Sequence, residues 1–133
     1  MRRFGDEGLA MVPTLDDMQD FTNLRVWHEA HEFAVAIDRA LANAAKGRAE
    51  LANQLRRSAE SIPANIAEGA GQFTDPQFAR FLSIALGSAT ESTNHLMLAR
   101  DTRVIAANIA NELLAHIGRI RGMLINLLKR LKQ

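Results

Sequence analysis

Apolar residues recur at spacings of three and four along four long segments of the chain, the pattern of one buried helix face. This pattern predicts helices over residues 23–45, 48–70 and 76–100, and a fourth from residues 106–108 almost to the end. Asn23 is a good N-cap for the first helix, and Gly47 supplies its stop. The turn before the third helix ends in a cap residue followed by Pro76 at the first helical position.

The predicted core stripes are longest in the last two helices. The third helix has the stripe Phe78, Leu82, Ala85, Ala89, Ser92, Leu96 and Ala99. The fourth helix has a heptad-like seam at Leu113, Ile117, Ile120, Leu124, Leu127 and Leu131. Four amphipathic helices with short connections predict an all-α fold, an antiparallel up-down-up-down four-helix bundle. Pro63 falls inside the second helix, where we expect a kink.

Residues 1–22 show no sustained period, which predicts a mobile N-terminal tail ahead of a bundle spanning residues 23–133. The segment has basic residues and then acidic ones where a signal peptide needs an apolar run. No uncharged stretch approaches the roughly 18 residues of a membrane helix. We therefore expect a cytoplasmic protein without a membrane partner.

The fourth helix carries more apolar surface than one bundle contact requires. At about 100° per residue, four positions fall beside its core seam. They are Leu114, Gly118, Ile125 and Leu128. This second stripe predicts an additional contact, and we interpret it as a surface for self-association.

Composition excludes several classes of site. Apolar residues make up 47% of the chain and charged residues 23%, which is typical of a soluble globular domain. The absence of cysteine excludes disulfides, thiolate zinc sites and a cysteine nucleophile.

The net charge of +1 conceals an uneven distribution. Residues 101–133 carry 6 basic and 2 acidic residues, whereas residues 24–100 carry 8 of each. The candidate contacts to nucleic acid or to another partner are Arg119, Arg121, Lys129, Arg130 and Lys132. Cations at a helix C-terminus also complement the helix dipole, so a solvated helix end remains the alternative.

No pattern of catalytic or metal-binding residues is complete. His28 and His31 share a helix face with Glu32, but the HExxH motif is not met, and we interpret them as solvated. The pairs Glu91/His95 and Glu112/His116 are four residues apart, whereas a carboxylate-bridged di-iron bundle needs three. We expect no enzyme activity, no cofactor and no metal.

Small and polar residues inside the helices suggest structural roles. Gly87, Gly118 and Gly122 are expected to let a neighbouring helix approach closely. Asn65 and Glu68 follow Pro63 in the sequence.

Glu91 is expected near the inward face of the third helix. For these polar residues we expect a hydrogen-bond network completed by Arg56, by Arg57 or by backbone groups freed at the kink, because buried carboxylates need partners.

Four strings carry a resemblance to a known family. They are Val-Trp-His-Glu-Ala at 26–30, Gln-Leu-Arg-Arg-Ser-Ala at 54–59, Ser-Ile-Pro-Ala-Asn-Ile-Ala-Glu-Gly at 61–69, and Phe-Ala-Arg-Phe-Leu-Ser-Ile-Ala-Leu-Gly-Ser at 78–88. With Glu91 following, the chain resembles the 23S rRNA intervening-sequence protein family over about residues 21–131. The third string is the most specific, and within it Asn65, Glu68 and Gly69 are family-motif residues of structural role, as is Glu91.

The resemblance implies a cytoplasmic bacterial helical bundle that assembles into a homopentamer, without an established enzymatic activity. A related branch, the accessory variability proteins of diversity-generating retroelements, binds reverse transcriptase and nucleic acid. This chain departs from the usual family pattern at Asp38, Gln72, Ser92 and Thr93. Because the net charge of this chain is close to zero, the resemblance is weaker support for nucleic-acid binding by this chain.

Two hypotheses of function follow. The first is a non-enzymatic homo-oligomeric scaffold or adaptor, with copies of itself as the partner. The alternative is an accessory protein that binds RNA or DNA through the basic C-terminal helix, associated with rRNA or with a reverse transcriptase.

Overall fold

The computed structural model describes residues 20–43 and 47–132, and over these ranges the chain is helical without strands. The four helices are α1 (Arg25–Ala42), α2 (Ala49–Ala70), α3 (Asp75–Asp101) and α4 (Ala107–Leu131). Each helix packs against its neighbours in sequence, and α4 closes the arrangement against α1. The prediction of an all-α four-helix bundle is confirmed. The predicted tail lies almost entirely outside the described residues, as do residues 44 and 45 at the predicted end of the first helix.

The start of α1 differs from the prediction. Asn23 belongs to a short 3₁₀ helix, Phe21–Asn23, and does not cap α1. The N-cap is Leu24, which has no capping hydrogen bond and is buried instead. Asp20 caps the 3₁₀ turn by accepting a 3.0 Å hydrogen bond from the backbone amide of Thr22. The 3₁₀ turn therefore precedes α1, and the N-cap of α1 lies one residue later than the sequence predicted.

The start of α3 follows the predicted signal, displaced by one residue. Thr74 is the N-cap, and its hydroxyl accepts a 3.3 Å hydrogen bond from the Gln77 amide. Pro76 lies in the first turn, where its missing amide hydrogen removes no helical bond.

Pro63 lies buried inside α2, and the helix continues past it to Ala70. Because proline has no amide hydrogen, Pro63 cannot donate to the carbonyl of Ala59 one turn earlier. Ala59 is itself fully buried. The kink expected at this position stays a prediction.

The connection between α3 and α4 is a Schellman motif. The amide of Val104 donates to the carbonyl of Ala99 at 2.8 Å, and the amide of Arg103 donates to the carbonyl of Arg100 at 3.1 Å. Between these bonds Arg103 takes a φ of +62°, in the left-handed region that favours glycine. The turn therefore reverses the direction of the chain, and the left-handed conformation of Arg103 raises the free energy of the folded state.

The core is formed by the stripes that the periodicity predicted. All seven stripe positions of α3 are buried, as are the first five seam positions of α4. For α1 the spacing of apolar residues predicts a stripe at Trp27, Ala30, Ala34, Ile37, Leu41 and Ala44. The fully buried Phe33 is missing from this predicted stripe, and Trp27 is only half-buried.

One glycine of the bundle allows a close approach, and it is not among those expected to do so. A Cβ at Gly69 would lie 2.8 Å from Cδ1 of Phe78 and 2.9 Å from Cβ of Phe81. A Cβ at Gly87, Gly118 or Gly122 would meet nothing within 4 Å. Within the described chain, the expectation of close helix approach at these three glycines is therefore wrong, because they lie away from the helix contacts.

The described helices are too polar or too short to cross a bilayer.

Candidate functional site

The second apolar stripe of α4 lies at the surface of the bundle. Leu114 and Leu128 are half-buried, Ile125 is 38% exposed and Gly118 is exposed. The four residues keep a regular heptad spacing only when Arg121 is included between Gly118 and Ile125. We call these five residues the α4 stripe.

Arg121 is the polar residue at the centre of the α4 stripe. Its Nε is buried and has no hydrogen-bond partner among the described residues. Buried donors are nearly always satisfied, since an unpaired one costs about 1–3 kcal/mol. This unpaired nitrogen lies on the α4 stripe, between Gly118 and Ile125.

An exposed apolar side chain of α3 lies at the same height along the bundle as the first residue of the α4 stripe. Nη1 of Arg100 donates a 3.1 Å hydrogen bond to Oδ1 of Asn111. This bond shows which residues of the antiparallel helices α3 and α4 lie side by side. Met97, one turn before Arg100, therefore lies at the level of Leu114, one turn after Asn111. The side chain of Met97 is 44% exposed.

The basic residues of α4 do not form one patch. Arg119 and Arg121 are separated by about 200° around the helix, because each residue advances about 100°. Lys129, Arg130 and Lys132 are exposed at its C-terminal end. None of these five cations forms an ion pair with a described residue.

A second feature is an open cavity of about 490 Å³ between α1 and α2. Trp27 lines it and stacks on His31, with ring centroids 4.8 Å apart and an interplanar angle of 20°. Pro63 and Ala64, from the string at 61–69, form the opposite wall. His28 instead lies near the N-terminus of α1, with Nε2 2.6 Å from the carbonyl oxygen of Thr22.

The interface between α1 and α4 contains a polar contact that the sequence did not predict. Nε2 of His116 lies 2.8 Å from Oε1 of Glu29, and the same imidazole ring packs edge to face with Phe33. Glu32 brings a second carboxylate to the group, and the three ligand-type atoms lie within 4.8 Å of one another. Because 87 residues separate Glu29 from His116, no local spacing could have revealed the contact.

The predicted polar network is present in part. The side-chain amide of Asn65 donates to the carbonyl oxygen of Ser61 at 2.8 Å and lies 2.9 Å from its hydroxyl. The hydroxyl of Ser61 continues the network to Ser88 on α3, 2.9 Å away.

The buried carboxylates that the sequence predicted are absent from this network. Glu68 is exposed, and so is Glu91, which pairs with His95 at 3.1 Å across one helix turn. Nε of Arg56 instead donates to Asp38 at 3.1 Å. The expectation that Glu91 faces inward is wrong, because it lies about 200° around the helix from the buried Ala89.

Comparison with known proteins agrees with this helical architecture. A family model described as 23S rRNA-intervening sequence protein matches residues 22–126. The chain therefore belongs to the 23S rRNA-intervening sequence protein family. No curated protein matches it.

A solved structure from Bacteroides thetaiotaomicron is similar to this chain. It is described as a protein with unknown function from the S23 ribosomal protein family. The two share 31% identity and superpose with a TM-score of 0.72, over 78% of this chain and 98% of the other.

Proposed function

We propose that this protein is a non-enzymatic, homo-oligomeric scaffold or adaptor of the cytoplasm, and that its copies assemble into a pentamer through the α4 stripe. The observation that carries the proposal is the buried Nε of Arg121, which has no partner among the described residues and lies in the middle of the partly exposed α4 stripe. A second copy that covered the stripe would bury Ile125, and it would supply an acceptor to Arg121 once this side chain turns outward from its buried position.

A pentamer puts a constraint on this contact. Rings of odd order are built from heterologous interfaces, in which one surface meets a different surface of the next copy. The α4 stripe would therefore not pack against the same stripe of a neighbour. The number five itself comes from the family resemblance.

The mass in solution tests the proposal. Size exclusion with light scattering should give about 74 kDa, five times the 14.7 kDa of one chain. Ile125→Asp should disperse the assembly, because it places a charge on the apolar contact. Ile84→Asp on α3 is the matched control, since Ile84 is 41% exposed and lies outside the stripe. A wild-type monomer, or an assembly that persists in Ile125→Asp, would overturn the assignment of this surface.

The alternative function is RNA or DNA binding through the C-terminal end of α4. It is favoured by the exposed Lys129, Arg130 and Lys132, which form no ion pairs with described residues. Phosphate contacts release counterions, so the affinity should fall steeply with salt.

Binding of a fluorescent RNA at several salt concentrations tests this alternative. The triple alanine variant of Lys129, Arg130 and Lys132 should lose affinity and flatten the salt dependence. The control is the triple alanine variant of Arg25, Arg48 and Arg57, which are also exposed cations. Equal affinity of both variants and the wild type would exclude this mapping.

A further inference from the structure

We propose that Glu29, Glu32 and His116 form a binding site for a divalent transition-metal ion, with Zn²⁺ as the expected occupant. Both carboxylates come from α1 and the imidazole comes from α4, so the ion would cross-link the first and last helices of the bundle. This inference reverses the expectation from the sequence that the chain binds no metal. It goes beyond the proposed scaffold function and does not depend on it.

The arrangement of the donor atoms is close to that of a chelate. Glu29 and Glu32 are three residues apart and therefore project from the same side of α1. One ligand-type atom from each of these two residues and one from His116 all lie within 4.8 Å of one another. Zinc–oxygen and zinc–nitrogen bonds of about 2.0–2.2 Å place neighbouring tetrahedral ligands roughly 3.3–3.6 Å apart.

Small movements would therefore complete the site. The 2.8 Å contact between Nε2 of His116 and Oε1 of Glu29 would open slightly as the ion replaces the bridging proton. The exposed side chain of Glu32 is free to rotate inward, because it makes no hydrogen bond or ion pair with a described residue.

The imidazole is already held in position. The side chain of His116 is only 16% exposed, and its ring meets Phe33 edge to face with centroids 5.9 Å apart. A ligand held by packing loses little conformational freedom when an ion binds. The imidazole also decides the metal class, because magnesium and calcium prefer oxygen ligands alone whereas zinc accepts nitrogen and carboxylate together.

The site has an open side. His116 also lines a cavity of about 470 Å³ between α1 and α4, which gives room for a water or an anion as a further ligand. Glu112, Arg39 and Arg119 line the same cavity. Together with the carboxylates of Glu29 and Glu32, these three charged groups sum to a net negative charge, which favours the binding of a cation.

Zinc titration of the full chain, purified without a polyhistidine tag and stripped with a chelator, tests the site. Isothermal titration calorimetry should show one Zn²⁺ per chain, and Co²⁺ should give visible d–d absorption at the same stoichiometry. We expect His116→Gln to weaken Zn²⁺ binding at least 100-fold. Glu32→Gln should weaken it at least 10-fold, and its fold should be intact because the exposed Glu32 makes no hydrogen bond or ion pair with a described residue.

The chain offers a matched control in His95. It forms the same kind of contact with a carboxylate, Glu91, at 3.1 Å, but no third ligand-type side chain of the described residues joins them. His95→Gln should leave the affinity and stoichiometry unchanged. The proposal is overturned if the wild type does not bind Zn²⁺ at micromolar concentrations, if Glu32→Gln binds as tightly as wild type, or if His95→Gln abolishes binding.

Discussion

Ser92 on α3 donates a hydrogen bond of 2.9 Å to the hydroxyl of Ser58 on α2, and both side chains are buried. Ser58 in turn donates to the carbonyl of Leu55 at 3.1 Å, so the two hydroxyls form a directed chain. The stripe of α3 therefore contains a polar side chain that is satisfied across the interface with α2.

This direction predicts unequal effects of two similar substitutions. Ser58→Ala removes the acceptor of Ser92 and leaves a buried hydroxyl unpaired, so the free energy of unfolding should fall by about 1–3 kcal/mol. Ser92→Ala leaves Ser58 bonded to Leu55 and should cost less than about 1 kcal/mol. Urea denaturation measures both.

The double alanine variant is the control for this chain of hydrogen bonds. It should be no less stable than Ser58→Ala alone, because the unpaired hydroxyl is then gone. A neutral Ser58→Ala would contradict this prediction and would mean that the hydroxyl of Ser92 finds another acceptor when Ser58 is lost.

Gly69 should tolerate alanine poorly although it lies in a helix. Alanine in place of a helical glycine usually stabilises by roughly 0.5–1 kcal/mol. At Gly69, however, the new Cβ would approach Phe78 to 2.8 Å and Phe81 to 2.9 Å. We expect Gly69→Ala to lower the free energy of unfolding by about 1–3 kcal/mol, because the α2–α3 contact must open.

Gly87→Ala is the matched control for this effect. Gly87 lies in the middle of α3 with open space around its missing Cβ, so the same substitution should raise the thermal midpoint. Equal shifts for the two variants would mean that helix propensity, and not the contact with Phe78, decides the outcome.

The left-handed Arg103 offers a stabilising substitution. Its φ of +62° costs an L-residue about 1 kcal/mol, and glycine adopts this conformation freely. Arg103→Gly should therefore stabilise the bundle by up to about 1 kcal/mol, less the greater backbone entropy of the unfolded chain. Arg103→Val should destabilise, because a β-branched residue resists this conformation. Thermal unfolding followed by circular dichroism tests the order glycine, arginine, valine.

The sequence predicted the helices and their inward faces well, because a single period of 3.6 residues determines both. Every predicted stripe position of α3 is buried, including the polar Ser92. The period does not specify which residue of another helix is contacted by a side chain at the edge of the buried face. His116 was therefore compared with Glu112, four residues away, whereas its contact is Glu29 on another helix. The partner of Ser92 was missed for the same reason.

Arg121→Met should weaken the assembly without lowering the stability of the single chain. In the isolated chain the buried Nε of Arg121 has no partner, so an unbranched apolar side chain of similar length should cost little or even stabilise. In the assembly the same change removes the cation that the neighbouring copy is proposed to pair. We therefore expect light scattering over a dilution series to show dissociation at protein concentrations 10- to 100-fold above those of the wild type.

Urea denaturation of dilute, dissociated protein should show no loss of stability for the same variant. Arg119→Met is the control, because Arg119 lies on the opposite side of α4 beside the cavity with His116. It should leave the mass unchanged at every dilution. If Arg121→Met destabilises the dissociated chain and leaves the assembly intact, the guanidinium serves the fold of a single chain, and the α4 stripe loses its strongest support as an interface.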